Sequence, residues 1–114
     1  GSQVLSAFRN RIYNIHPALL PSFGGRGMYG IRVQRAIIEA GVKVTGATVH
    51  LVNEEYDQGL IVAQRAIPVE DDDTPETLAA RVLEVEHAIY PEALQWAAEG
   101  RIRIEGGRIR ITPR

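Results

Sequence analysis

The sequence predicts an α/β fold, and three stretches carry that prediction. Ile12, Tyr13 and Ile15 are β-branched or aromatic, so residues 12–16 read as a strand that Pro17 ends. Val33, Ala36, Ile37 and Ala40 recur at i, i+3, i+4 and i+7, the spacing of an amphipathic helix. The stretches 46–52 and 60–67 read as two more strands, paired antiparallel across the polar, turn-like segment 53–59, with that acidic loop at their tip.

Composition narrows the class. With 114 residues the chain is one domain or a piece of one, and its apolar content allows a modest core. The formal charge is −1 with both signs interspersed, which argues against a nucleic-acid arm or a membrane-surface helix. The absence of cysteine excludes disulfides, thiolate metal sites and cysteine nucleophiles. No apolar run approaches the length of a membrane span, so a soluble, cytoplasmic protein is expected. Gly1-Ser2 reads as a protease-cleavage scar, which leaves 3–114 as the domain piece.

The remaining elements follow in order. Gln3 to Arg9 suits a single helical turn. The loop from Pro21 to Gly30 carries Gly24, Gly25, Gly27 and Gly30, a spacing that matches neither phosphate-cradling motif. These glycines are read as turn formers, and Arg26 as a solvated loop residue. Gly41 caps the first helix. Asp71-Asp72-Asp73-Thr74-Pro75-Glu76 is a helix start rather than a metal loop, because the acids lack calcium-loop spacing. Leu78, Val82, Val85, Ile89 and Leu94 mark the buried stripe of a long second helix, with a kink expected near Ala88 from Pro91. The stretch 101–111 forms a terminal hairpin around Gly106-Gly107, with Ile104 opposite Ile109, Ile102 opposite Ile111, and the arginines solvated.

Chemistry gathers near residue 14. Strand alternation turns Asn14 and His16 to one face, roughly 7 Å apart, at the strand's C-terminal end. In an open α/β sheet with parallel-type strands that end is where ligands bind. Asn14 can donate to a developing oxyanion, and His16 can carry a proton near neutral pH. Asp57, in the loop between the paired strands, can complete the set by favouring the charged form of His16. The competing reading is a satisfied strand histidine beside an Asx-type turn. No serine is placed as a nucleophile, so direct transfer fits better than covalent catalysis.

The motifs Asn14-Ile15-His16-Pro17-Ala18-Leu19-Leu20-Pro21-Ser22-Phe23, Gly46-Ala47-Thr48-Val49-His50, Tyr56-Asp57-Gln58-Gly59 and Glu86-His87-Ala88-Ile89-Tyr90-Pro91 together resemble glycinamide ribonucleotide formyltransferases. Their order and spacing agree over essentially the whole chain. The resemblance implies formyl transfer from 10-formyltetrahydrofolate, as co-substrate and without a metal, to the amine of glycinamide ribonucleotide in purine synthesis. It implies that Asn14 holds the formyl oxygen, that His16 is the acid/base, and that Asp57 supports the charged imidazole. It further implies that Asn53, Glu54, Glu55, Tyr56 and Asp57 line the pterin pocket, and that Glu86 contacts the nucleotide substrate. His50 and His87 recur with the motifs and are given structural roles.

The resemblance also marks departures. The loop from Phe23 to Tyr29 is longer than in many members, and the family's N-terminal half, a Rossmann-like unit with a Gly-rich loop, has no counterpart. The chain is therefore expected to be the C-terminal half of a formyltransferase-type sheet, with poor activity alone and a strand edge that pairs with a second copy. An excised half-domain without activity, or a folate-binding module without turnover, is the alternative. Formyltetrahydrofolate hydrolase fits less well because Pro17 stands where it usually has a second histidine. Methionyl-tRNA formyltransferase expects glycine there and a further nucleic-acid domain.

Overall fold

The computed structural model describes residues 12–53 and 56–113, and for residues 53 and 56–59 only the backbone. The elements are β1 (Ile12–His16), α1 (Ile31–Ala40), β2 (Val44–Asn53), β3 (Tyr56–Pro68), α2 (Pro75–Ala98), β4 (Ile102–Glu105) and β5 (Arg108–Ile111). The first three strands form one sheet in the order β1-β2-β3, and β4 and β5 form a separate hairpin. Both pairs in the larger sheet are antiparallel. Residues 12–16, expected as a parallel-type strand, pair antiparallel with β2, their one strand neighbour among the described residues.

Alternation along β2 sorts the sheet into two faces. Ala47, Val49 and Leu51 are fully or almost fully buried, joined by Tyr13 from β1 and Leu60 from β3. α2 covers this face with Leu78, Val82, Val85, Ile89, Ala93 and Ala97. Burying each of the larger side chains is worth about 2 kcal/mol. The stripe expected to end on Leu94 runs on through Ala93 and Ala97 instead, with Leu94 half-buried. Pro91 does not break the assigned helix. Thr74 and Thr77 form a reciprocal capping box with Pro75 at the first position, and Asp73 accepts hydrogen bonds from Thr77 Oγ1 and the Glu70 amide. The acidic run is thus used as a helix start.

On α1 the buried side chains are Val33, Gln34 and Ile37, whereas Ala40 is exposed; Gly41 ends the helix with a left-handed backbone. The segment read as a long turn is mostly strand, since β2 continues to Asn53 and β3 starts at Tyr56. Between Val49 and His50 the pairing with β3 shifts by one residue, a bulge that leaves Val62 unmatched. The hairpin has the expected register, Ile102 with Ile111 and Ile104 with Ile109. Arg103, Arg108 and Arg110 are exposed, but Arg101 is folded in, donating to the Thr112 carbonyl at 2.7 Å. The expected turn at Gln3–Arg9 lies outside the described residues.

Gly46 is the least replaceable position of β2. A Cβ there would sit 1.9 Å from the Arg65 carbonyl oxygen, which is backbone and cannot rotate away. Gly46→Ala is expected to cost at least about 2 kcal/mol and to lower the thermal midpoint clearly. Gly41→Ala, with open space but a φ of +70°, should cost about 1 kcal/mol in the same melt.

Candidate functional site

The face of the sheet turned away from α2 holds the chemistry. The register sets Ile12 opposite Val52, Asn14 opposite His50, and His16 opposite Thr48. β3 adds Ile61 beside His50 and Gln64 beside Thr48. One end of this face is polar and the other apolar: Ile12, Val52 and Ile61 are exposed at 67%, 42% and 40%. Apolar side chains grouped on an open surface beside hydrogen-bonding groups are the usual dress of a ligand site.

Asn14 is exposed, and its Oδ1 accepts from the Ile15 amide at 2.9 Å, leaving the NH2 end available to donate. His16 is half-buried, with Nε2 2.8 Å from the Phe23 carbonyl oxygen. Phe23 has φ +54°, a left-handed conformation that costs a side-chain-bearing residue about 1 kcal/mol. Such strain persists only where the surroundings enforce it.

The segment that leads to Phe23 is anchored by Thr48, which is fully buried. Its hydroxyl donates to the Ala18 carbonyl at 2.7 Å and accepts from the Leu20 amide at 3.0 Å and from Gln64 Nε2 at 3.1 Å. That uses the one donor and both lone pairs of a hydroxyl, so Thr48 is no nucleophile. Gln64 also donates to the Leu20 carbonyl at 2.9 Å, and Gln34 from α1 donates to the Pro17 carbonyl at 3.0 Å. The segment 17–20 is thus fastened to β2, β3 and α1. Thr48 and Gln64 carried no site role in the sequence reading. The signal available was a polar side chain beside small apolar ones on each strand, Thr48 between Ala47 and Val49 and Gln64 next to Ala63.

Glu86 is half-buried on α2, one turn before Tyr90, whose hydroxyl donates to the Tyr13 carbonyl at 3.0 Å. Burial holds the Glu86 carboxyl above the usual carboxylate range, against the pull of His87 and His16. His50 was given a structural role, yet it lies opposite Asn14 on the open face. Its Nδ1 is buried with no hydrogen-bond partner among the described residues. Burial, and then the nearby His16, push its imidazole below the ordinary value. His87 is exposed. Asp57 belongs to β3, but its side chain lies outside the described residues, as do the side chains of Asn53 and Tyr56 and the whole of Glu54 and Glu55. The structure therefore brings together Asn14, His16, His50 and Thr48, and places Glu86 within electrostatic reach of His16.

A pH dependence of stability follows from His50. Its folded form binds a proton less readily than the unfolded chain, so the stability it contributes is full above about pH 6.5 and falls as the pH drops below that. Glu86 acts in the opposite sense, with stability present below about pH 4.3 and lost as the pH rises through its elevated folded value. Urea midpoints at pH 7.5 and 5.5 should therefore fall more for the native chain than for His50→Gln.

Residues 1–94 match the family model described as formyl transferase. The chain is 54% identical over 101 residues to the chloroplastic phosphoribosylglycinamide formyltransferase of Arabidopsis thaliana, covering 89% of this chain and 35% of that protein. It is 47% identical over 98 residues to the Haemophilus influenzae phosphoribosylglycinamide formyltransferase, covering 86% of this chain and 44% of that one. Glycinamide ribonucleotide transformylase 1 from Symbiobacterium toebii superposes with a TM-score of 0.82 at 52% identity, over 96% of this chain and 49% of that structure. A formyltetrahydrofolate deformylase from Pseudomonas syringae superposes at 0.80 with 28% identity, over 97% of this chain and 36% of that one. The chain thus spans about a third of the length of the first curated relatives it matches. With a family model covering most of its length and its fold shared at this identity, the chain belongs to the formyl transferase family.

Proposed function

We propose that this chain carries the proton-handling and oxyanion-holding part of an enzyme that transfers a formyl group from 10-formyltetrahydrofolate to the amine of glycinamide ribonucleotide. The observation that supports the reading best is the arrangement of the open face: an amide donor and an imidazole directly beside an exposed apolar patch. Ile12, Val52 and Ile61 suit the flat ring of a reduced pterin, and the chemistry that co-substrate supplies is an activated formyl group. The NH2 of Asn14 donates to the formyl oxygen as charge develops there. His16 moves the proton. Asp57 favours the charged imidazole, Asn53 to Asp57 border the pterin, and Glu86 meets the ribonucleotide. Relatives whose names carry this activity are the more similar ones, whereas the deformylase is related at lower identity. The cytoplasm is the compartment this reading carries; among the described residues no helix is long and apolar enough to cross a membrane.

Both substrates must be held for the reaction to gain from proximity, so the chain alone is expected to transfer slowly. The test supplies the complementary portion of a full-length relative and measures formyl transfer and formate release separately. Transfer should appear on addition, and His16→Ala should reduce it at least about 10²-fold. Asn14→Ala should reduce it about 10²- to 10³-fold. Restored transfer indifferent to His16, or formate release alone, would overturn the reading.

β1 has only one strand neighbour among the described residues, and Ile12 stands out at its edge. The reading therefore includes self-pairing through β1 when no other strand is supplied. Sedimentation should give twice the chain mass at high concentration, and Ile12→Lys should return the monomer. A native chain that stays monomeric removes this part.

A further inference from the structure

We infer that the Phe23 carbonyl, held in place by Thr48 and Gln64, fixes His16 as the Nε2–H tautomer and leaves Nδ1 as the nitrogen that takes up and returns the proton. A carbonyl oxygen only accepts, so the Nε2 that lies 2.8 Å from it must carry hydrogen whenever that contact is made. In the neutral ring the remaining lone pair is then on Nδ1. When Nδ1 takes a proton, the ring becomes an imidazolium that keeps its Nε2–H on the same carbonyl. Returning that proton from Nδ1 restores the starting tautomer, so the contact survives both halves of the exchange.

Three observations converge on this assignment. Phe23 adopts a left-handed φ of +54°, and its carbonyl rests on the imidazole. The segment leading to it is tied at Ala18 and Leu20 by a Thr48 hydroxyl with no capacity to spare. Gln64 then holds the Leu20 carbonyl from a third strand. Thr48 and Gln64 are positioning residues: they act on His16 through the loop and touch no reacting atom. The proton-carrying duty rests on the formyl-transfer reading, whereas the tautomer does not.

Long-range 15N–1H correlation spectra of the labelled chain, recorded near pH 8.5 where ordinary imidazoles are neutral, read the tautomer directly; His16→Gln assigns the signal. The Nε2–H form of His16 should exceed the other by about tenfold, the ratio that one net hydrogen bond supports. Thr48→Val should lower the ratio toward that of a solvated histidine side chain, and Thr48→Ser should restore it. Should Thr48→Val not fold, Gln64→Leu, at an exposed position, gives the same readout with a smaller shift in the same direction. A native His16 protonated on Nδ1, or folded variants with an unchanged ratio, would overturn the inference. No substrate enters this measurement, so its failure and a failure of formyl transfer are told apart.

Discussion

Alternation along β2 is the constraint from which the other placements follow. This strand is paired on both sides, so it cannot slip by one residue without turning Ala47, Val49 and Leu51 out of the core. With those side chains committed to the helices, Thr48, His50 and Val52 are left facing the other way. The partners across the ladder, His16, Asn14 and Ile12, inherit that face from the register. The chemistry of the open surface is therefore set by core packing on the opposite side of the same sheet.

The polar part of this surface is bought with hydrogen bonds that run to backbone. Thr48 is fully buried, and a buried hydroxyl without partners destabilises a fold by about 1–3 kcal/mol. Here the partners are Ala18 and Leu20, so satisfying Thr48 also orders the turn that follows the strand. The same turn delivers the Phe23 carbonyl to His16. One requirement, the satisfaction of a buried oxygen, links the interior of the sheet to the imidazole.

Much of this was legible from residue order. The helix start at Thr74-Pro75, the glycine cap at Gly41 and the isoleucine register of the hairpin are local signals and appear as expected. Asn14 and His16 share a face because strand period is a backbone property. Other features needed tertiary context. Polar Asn53 and Tyr56 read as turn, yet pairing extends both strands to within two residues of each other. A strand's direction relative to its neighbour is not written in its own residues, which is why β1 was placed in a parallel setting. That His50 stands opposite Asn14 is a fact of register and could not be read from its own stretch.

The unmatched Val62 has a consequence for comparing relatives. Ile61 and Gln64 are an odd number of positions apart, and a regular strand would point them to opposite sides. The extra residue cancels that parity, so both lie on the same face of the sheet. A relative lacking one residue here would keep either the greasy wall or the amide anchor, but not both. Sequence identity counted column by column would record such a deletion as a single gap, while this face of the sheet would have lost one of its two ends.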